Sequence, residues 1–450
     1  MKRGEKMSKG LLTLIVLSSA LGCAGGGAEE EGKGPGNDVV GNLDEADDDA
    51  TSMDDDEQGD DGETGPKLDI PDDPPPEGES GQIWIANSNQ GTVSKIDTQT
   101  MEELGRYITR PDGVGSPSRT SVSLTGNMAV ANREGGITKI YGKVEDCVDA
   151  NMNGEIDTST GQTDILPWGE DECIAWYVPM DYTSQRAVAW TRGEGDPENG
   201  ESITNEKVWV TGDNEANAGV DVMLLNGETG AIESMVTVGI NAPGSSGWPY
   251  RAYGGAVDRD SNFWFTSHGE QGVIVRVNIA DMSYDQWPKD HWSYGITVDS
   301  KGRPWSCEAF IGRFDPETGT WATTGAWDWN FPGLTEVDQG GCMVDGEGRL
   351  WASVLTSVGS GFGVVAIDGE TLEPIVMYEI PDHAHGISID FEGYVWGVAR
   401  ADVGPSDGTE AYKIDPETGE YQIFSGLVGA YTYSDMTGFA LNATVAPPIE

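Results

Sequence analysis

A tryptophan recurs along this chain at a nearly fixed interval. Trp264, Trp305, Trp351 and Trp396 stand roughly 41 to 46 residues apart, each inside the same local pattern. That pattern reads G-I-T-V-D-S-K-G-R-P-W from Gly295, G-G-C-M-V-D-G-E-G-R-L-W from Gly340 and G-I-S-I-D-F-E-G-Y-V-W from Gly386. G-A-V-D-R-D-S-N-F-W from Gly255 follows it closely. Each copy is an alternating strand, a tight Asp/Gly turn and a second strand carrying the Trp. A second hairpin follows in R-F-D-P-E-T-G-T-W from Arg313, K-I-D-P-E-T-G-E-Y from Lys413 and A-I-D-G-E-T-L-E-P from Ala366, with Pro and Gly at turn positions. S-K-I-D-T-Q-T-M-E-E at Ser94 and L-L-N-G-E-T-G-A-I at Leu224 are degenerate copies.

Two hairpins per unit of that length predict an all-β fold, a β-propeller with four-stranded blades. Trp84 and Trp209 extend the series, with residues 128–131 in the missing place between them. Seven units are expected, starting near residues 82, 118, 185, 252, 293, 340 and 385. Residue 82 opens on a second strand, and residues 434–441 (S-D-M-T-G-F-A-L) read as a first strand without a blade. The two are expected to complete one blade and close the ring, so that the propeller spans residues 81–445.

The N-terminal part has a different composition. Lys2, Arg3, Lys6 and Lys9 precede an apolar run, L-L-T-L-I-V-L-S-S-A-L-G-C, that ends at Cys23. This predicts a secretory signal over residues 1–23, too short to span a bilayer. A-L-G-C resembles the lipobox of bacterial lipoproteins, which implies lipidation of Cys23. An ordinary cleaved signal is the alternative. Residues 24–80 are acidic and rich in Gly and Pro, without aromatics. They predict a disordered tether extended by like charges. The whole chain carries a formal net charge of −51, which argues against nucleic acid as a partner. The combined expectation is export and a lipid anchor in the bacterial outer membrane, facing the periplasm or the cell surface, as a monomer.

The repeat resembles the NHL and streptogramin-lyase (virginiamycin B lyase) type of propeller. G-I-x-x-D-x-x-G-x-x-W and I-x-x-(I/F)-D-P-E-T-G carry the resemblance over residues 82–441. Streptogramin lyases open a cyclic ester by elimination, using histidine and glutamate near Mg²⁺ on the channel face. The resemblance implies a candidate catalytic pair in His385 and Glu308. It also implies gaps: Ala399 holds the glutamate place in the His385 repeat, and no histidine precedes the strand one repeat earlier. The acid/base set is therefore incomplete.

An insertion at residues 145–175 interrupts the second unit. Asp149, Asn151, Asn153, Gly154 and Asp157 fall at positions 1, 3, 5, 6 and 9 of an EF-hand-like calcium loop, with Glu155 offering its carbonyl at position 7. Thr160 stands where that loop needs a bidentate Glu, and Asp164 is a substitute. An Asx-rich solvated loop is the alternative. Of five cysteines, Cys147 and Cys173 bracket the insertion and are expected to pair. Cys307 and Cys342 are expected to bridge or to remain two buried thiols.

Propeller ligands bind where loops enter the innermost strands. The candidate ligand-binding residues there are Arg119, Arg186, Arg251, Tyr294, Gln339, His383, Tyr433 and Asp435, polar or aromatic and different in every repeat. Two functions fit: a module that binds a polar ligand or an envelope protein, or a metal-dependent lyase or hydrolase. Only the second needs Mg²⁺ at the channel. Of the four histidines, His268 and His291 are expected at the surface.

Overall fold

The computed structural model describes residues 81–445 except 183, 196–200, 215–218, 241–251, 269–271, 309 and 326–330, and except the side chains of 325, 336, 338 and 339. Signal, Cys23 and tether lie outside the described residues, and so does Arg251.

Six antiparallel sheets of four strands and one of three form the blades. The innermost strands Pro117–Val122, Val188–Trp190, Gly254–Val257, Gly295–Val298, Leu334–Val344 and Gly386–Ile389 stand side by side around a channel. The seventh place is filled by residues 434–437. The Ser434 hydroxyl donates to the Thr120 carbonyl at 2.6 Å, and the Thr437 hydroxyl to the Ile389 carbonyl at 2.6 Å. The N–H of Trp84 in strand Gln82–Asn87 donates to the Met436 carbonyl at 2.9 Å. The C-terminal segment thus completes the three-stranded sheet and closes a seven-bladed ring, as expected.

The chain then departs from the expected strand. Phe439–Val445 is a helix, α1. The Asp435 carboxylate accepts the N–H groups of Gly438 at 2.9 Å and Leu441 at 3.2 Å, and Gly438 turns the chain at φ 88°. That cap satisfies the first donors of α1 and turns the chain out of the extended run. α1 closes one end of the channel: Leu441 is buried, and the Thr444 hydroxyl donates to the Val298 carbonyl at 3.0 Å.

The repeat has a physical reason. In each of four blades one Asp carboxylate accepts the indole N–H of the Trp six residues on. The pairs are Asp258–Trp264 at 3.0 Å, Asp299–Trp305 at 3.0 Å, Asp345–Trp351 at 2.7 Å and Asp390–Trp396 at 2.8 Å. The other carboxylate oxygen holds the hairpin turn, as where Asp299 accepts the N–H groups of Lys301 and Arg303. A fully buried indole therefore loses no donor.

Neighbouring blades are pegged together by a basic residue on the third strand. Lys139 donates to the Gly227 carbonyl at 3.0 Å and Lys413 to the Thr98 carbonyl at 2.6 Å; Lys95 and Arg313 reach Gly142 and Gly369 in the same way. Both expected disulfides are present: Cys147–Cys173 within the insertion, and Cys307–Cys342 between adjacent blades.

Candidate functional site

The end of the channel opposite α1 is packed with tyrosines and arginines. Tyr253, Tyr294 and Tyr433 enter from three positions on the ring and are buried, while Tyr431 is half-buried above them. The Tyr431 hydroxyl meets that of Tyr253 at 3.2 Å and that of Tyr294. Tyr294 in turn meets Nε2 of His385 at 3.3 Å. Arg119 is 1% exposed; its Nε donates to the Tyr253 carbonyl at 3.0 Å, its Nη1 to the Tyr433 carbonyl at 3.3 Å, and it stacks on the Tyr433 ring. The Arg186 guanidinium lies 4.7 Å from the Tyr253 ring. Arg133 and Arg400 lie 4.6 and 5.8 Å from the Tyr431 ring.

The cations act on one another. Burial lowers the affinity of Arg133 for its proton, and the nearby Arg186 lowers it further. Burial pushes Arg119 well down as well. Tyr294 is driven well above the usual phenol range by burial and by Tyr253 and Tyr431. Arg119, Arg133 and Arg400 have no carboxylate partner among the described residues; their contacts are carbonyls, a serine and aromatic faces.

All four histidines of the chain lie buried toward this end. His268 and His291, expected at the surface, are 6% and 4% exposed. His268 packs on Tyr253 at 4.6 Å, and His291 on Trp321 at 4.5 Å with Nε2 2.7 Å from the Ser306 hydroxyl. The reason is the aromatic ring that covers each of them. Burial, with Lys289, Arg186 and Arg119 behind it, takes His268 down to about 4, and neither ring nitrogen has a hydrogen-bond partner among the described residues. Burial takes Lys289 down to about 7 against the opposing charge of Glu308.

The sequence-predicted residues do not all meet. Arg119, Arg186, Tyr294, Tyr433 and His385 meet in one cluster. His383 lies beside His385, with ring centres 5.7 Å apart, and its N–H donates to Asp382 at 2.6 Å. Asp435 is half-buried as the cap of α1, at the other end of the channel. Glu308 sits beside Lys289. Gln339 is in strand Leu334–Val344, its side chain outside what is described. Among the described residues no three His, Cys, Asp or Glu side chains are grouped to hold a metal ion. Sequence reasoning missed Tyr253, Tyr431, Arg133 and Arg400. The signal was there: His268 and Arg400 each stand four places after a repeat Trp, and Arg133 stands four after Ala129, which takes the Trp place in its blade.

The insertion forms a second candidate. The Asp149 carboxylate accepts the N–H groups of Asn153 at 3.1 Å and Gly154 at 2.9 Å, and Asn153 Oδ1 accepts that of Glu155 at 2.8 Å. Asp157 accepts both the Asn151 and Asn153 amides, at 2.7 and 2.9 Å. Glu172 braces the loop, taking the N–H groups of Ala150, Asn151 and Asp157. Asp164 is bonded to the Thr160 hydroxyl at 2.8 Å within its own turn.

This is a seven-bladed propeller with one channel end closed by a helix and the other built from arginine, tyrosine and histidine. No family model matches the chain, and comparison with curated proteins finds no match. Solved structures are similar. A streptogramin B lyase matches over 70% of this chain and 86% of its own, at 17% identity and TM-score 0.45. Virginiamycin B lyase from Staphylococcus aureus matches over 71% and 89%, at 14% and 0.42. A functionally unknown protein from Desulfotomaculum acetoxidans matches over 79% and 100%, at 13% and 0.50. The likeness is one of fold.

Proposed function

We propose that this propeller is an exported binding protein that takes an anionic ligand, carboxylate or phosphate, at the arginine-lined channel mouth. One observation carries the reading. In a chain of net charge −51, Arg119, Arg133 and Arg400 gather around Tyr431 and Tyr433 without a carboxylate partner among the described residues. Arg133 spends Nε and Nη2 on Ser116, which leaves its Nη1 and the Arg400 guanidinium beside the Tyr431 ring for an incoming oxyanion. The ligand meets Arg133 and Arg400, while the buried Arg119 acts from below through its charge.

Two disulfides fit an extracellular or periplasmic location, and among the described residues no helix is long and apolar enough to cross a membrane. Lipidation at Cys23 and the 24–80 tether complete the proposal, holding the propeller at the outer membrane. Ca²⁺ in the 149–157 loop, ligated by Asp149, Asn151, Asn153, the Glu155 carbonyl and Asp157, belongs to it as an element that stiffens the insertion. His385, hydrogen-bonded to Tyr294, serves the mouth as a buried partner of the tyrosines.

Calorimetric titration of the full chain with sulfate and with citrate tests the mouth. Binding that weakens with ionic strength and falls at least tenfold in Arg133→Gln or Arg400→Gln is expected. Equal heats for wild type and both variants would sink the reading.

A further inference from the structure

Tyr431 is the phenol of the mouth that solvent reaches, and it is enclosed by charge. Arg133 and Arg400 face its ring from two different blades, and the Arg119 and Arg186 guanidiniums lie deeper. On the buried side two phenol hydroxyls, of Tyr253 and Tyr294, point at its oxygen. His385, 4.7 Å from its ring, and Tyr433 at 5.6 Å are the other titratable groups packed on it. No carboxylate appears among its described contacts. A phenol oxygen with two hydroxyl donors and several guanidiniums nearby is built to carry negative charge. Burial alone pushes the Tyr431 phenol up, but Arg186, the two hydroxyls and Arg119 outweigh it and hold it below the usual phenol range.

We propose that the Tyr431 phenolate is the built-in counter-anion of this arginine cluster, and that an oxyanion ligand displaces it by drawing one proton onto the phenolate oxygen. The proton comes from solvent; no other bond forms or breaks. One negative charge is neutralised by protonation as one arrives with the ligand, so the cluster keeps its charge balance. The coupling rests on the anion-binding reading above. It gives that site a proton-linked affinity: for a monoanionic contact, binding weakens about tenfold for each pH unit above the point where Tyr431 ionises.

The test follows tyrosine ionisation by ultraviolet difference absorbance of the full chain, from neutral to alkaline pH. Sulfate is the probe, with chloride at equal ionic strength as control, and sulfate affinity is measured across the same range. One tyrosine is expected to ionise well before the others in chloride and to be shifted upward by sulfate. Tyr431→Phe should lose that early step and the pH dependence of sulfate affinity. If sulfate binds with an affinity flat in pH, or no tyrosine ionises early, the coupling is overturned while the anion site stands. If an early tyrosine appears but sulfate does not bind, the anion reading fails and the coupling with it. The wild-type titration decides between these even where the variant does not fold.

Discussion

The Lys413 ammonium donates to the Thr98 carbonyl at 2.6 Å, across the seam where the last blade meets the first. The same peg recurs between other blades, but only here does it link the two ends of the described chain. A buried charge-assisted bond of this kind contributes on the order of 2 kcal/mol. Lys413→Met is expected to lower the unfolding free energy measured in urea by about that amount, with a lower midpoint, without changing the secondary structure seen by circular dichroism. An unchanged midpoint would show the seam does not depend on the peg.

Cys307 and Cys342 join neighbouring blades across 35 residues of sequence. Closing such a loop in the unfolded chain is worth roughly 4 kcal/mol. Replacing both cysteines with alanine, or reducing the protein, should lower the melting temperature by several degrees. The loss should exceed that from breaking Cys147–Cys173, whose 26-residue loop sits outside the blades. Calorimetry of the two double variants compares them directly.

Calcium is expected to act on the insertion alone. Saturating Ca²⁺ at about a hundred times its dissociation constant would stabilise the holding fold by ~3 kcal/mol. Thermal unfolding with Ca²⁺ and with EDTA should therefore differ, and Asp157→Asn should abolish the difference. Identical curves for the wild type would remove calcium from the description of this loop.

His268 sets a pH dependence with a definite sign. Its folded pKa, about 4, lies below the ordinary 6.5. The stability it preserves is complete above 6.5 and is lost as pH falls through 4, because only the unfolded chain takes up the proton there. The full loss is on the order of 3 kcal/mol. His268→Phe should flatten the fall in melting temperature between neutral and mildly acidic pH. Parallel curves for variant and wild type would mean that the ring is protonated in place.

Much of this was readable because the repeat is made of chemically paired residues. A buried indole needs an acceptor, so Trp351 implies Asp345, and the hairpin between them follows. Cys147–Cys173 was readable because the pair brackets the insertion; Cys307–Cys342 stayed open between a bridge and two thiols, because strand position does not set the distance between neighbouring blades. The helix at Phe439–Val445 was not, because F-A-L alternates like the strands before it; the Asp435 cap and Gly438 decide it through backbone geometry. The mouth was half readable. Tyr294 and Tyr433 stand just before first-strand positions and were candidates, but Tyr253 and Tyr431 join them only because ring closure brings separate blades together. Arg133 and Arg400 enter from the far ends of second strands, a direction that first-strand patterns do not report. His268 and His291 looked polar and loop-bound; what buries them is a neighbouring ring, Tyr253 or Trp321, brought near by ring closure.

Strand Gln82–Asn87 begins at the end of the channel that α1 closes. The Gly81 carbonyl accepts the Thr98 N–H at 2.9 Å, and the Thr98 hydroxyl reaches Glu392 at 3.1 Å. Mechanically, the chain therefore enters the ring at its seam. A pull arriving through residue 80 loads Gly81 first, passes to Thr98, and is shared at once with Lys413 and Glu392 of the last blade. The mouth, at the other end of the axis, feels none of it directly. Strain entering at Gly81 would run along the joint where the first and last blades are already clamped together.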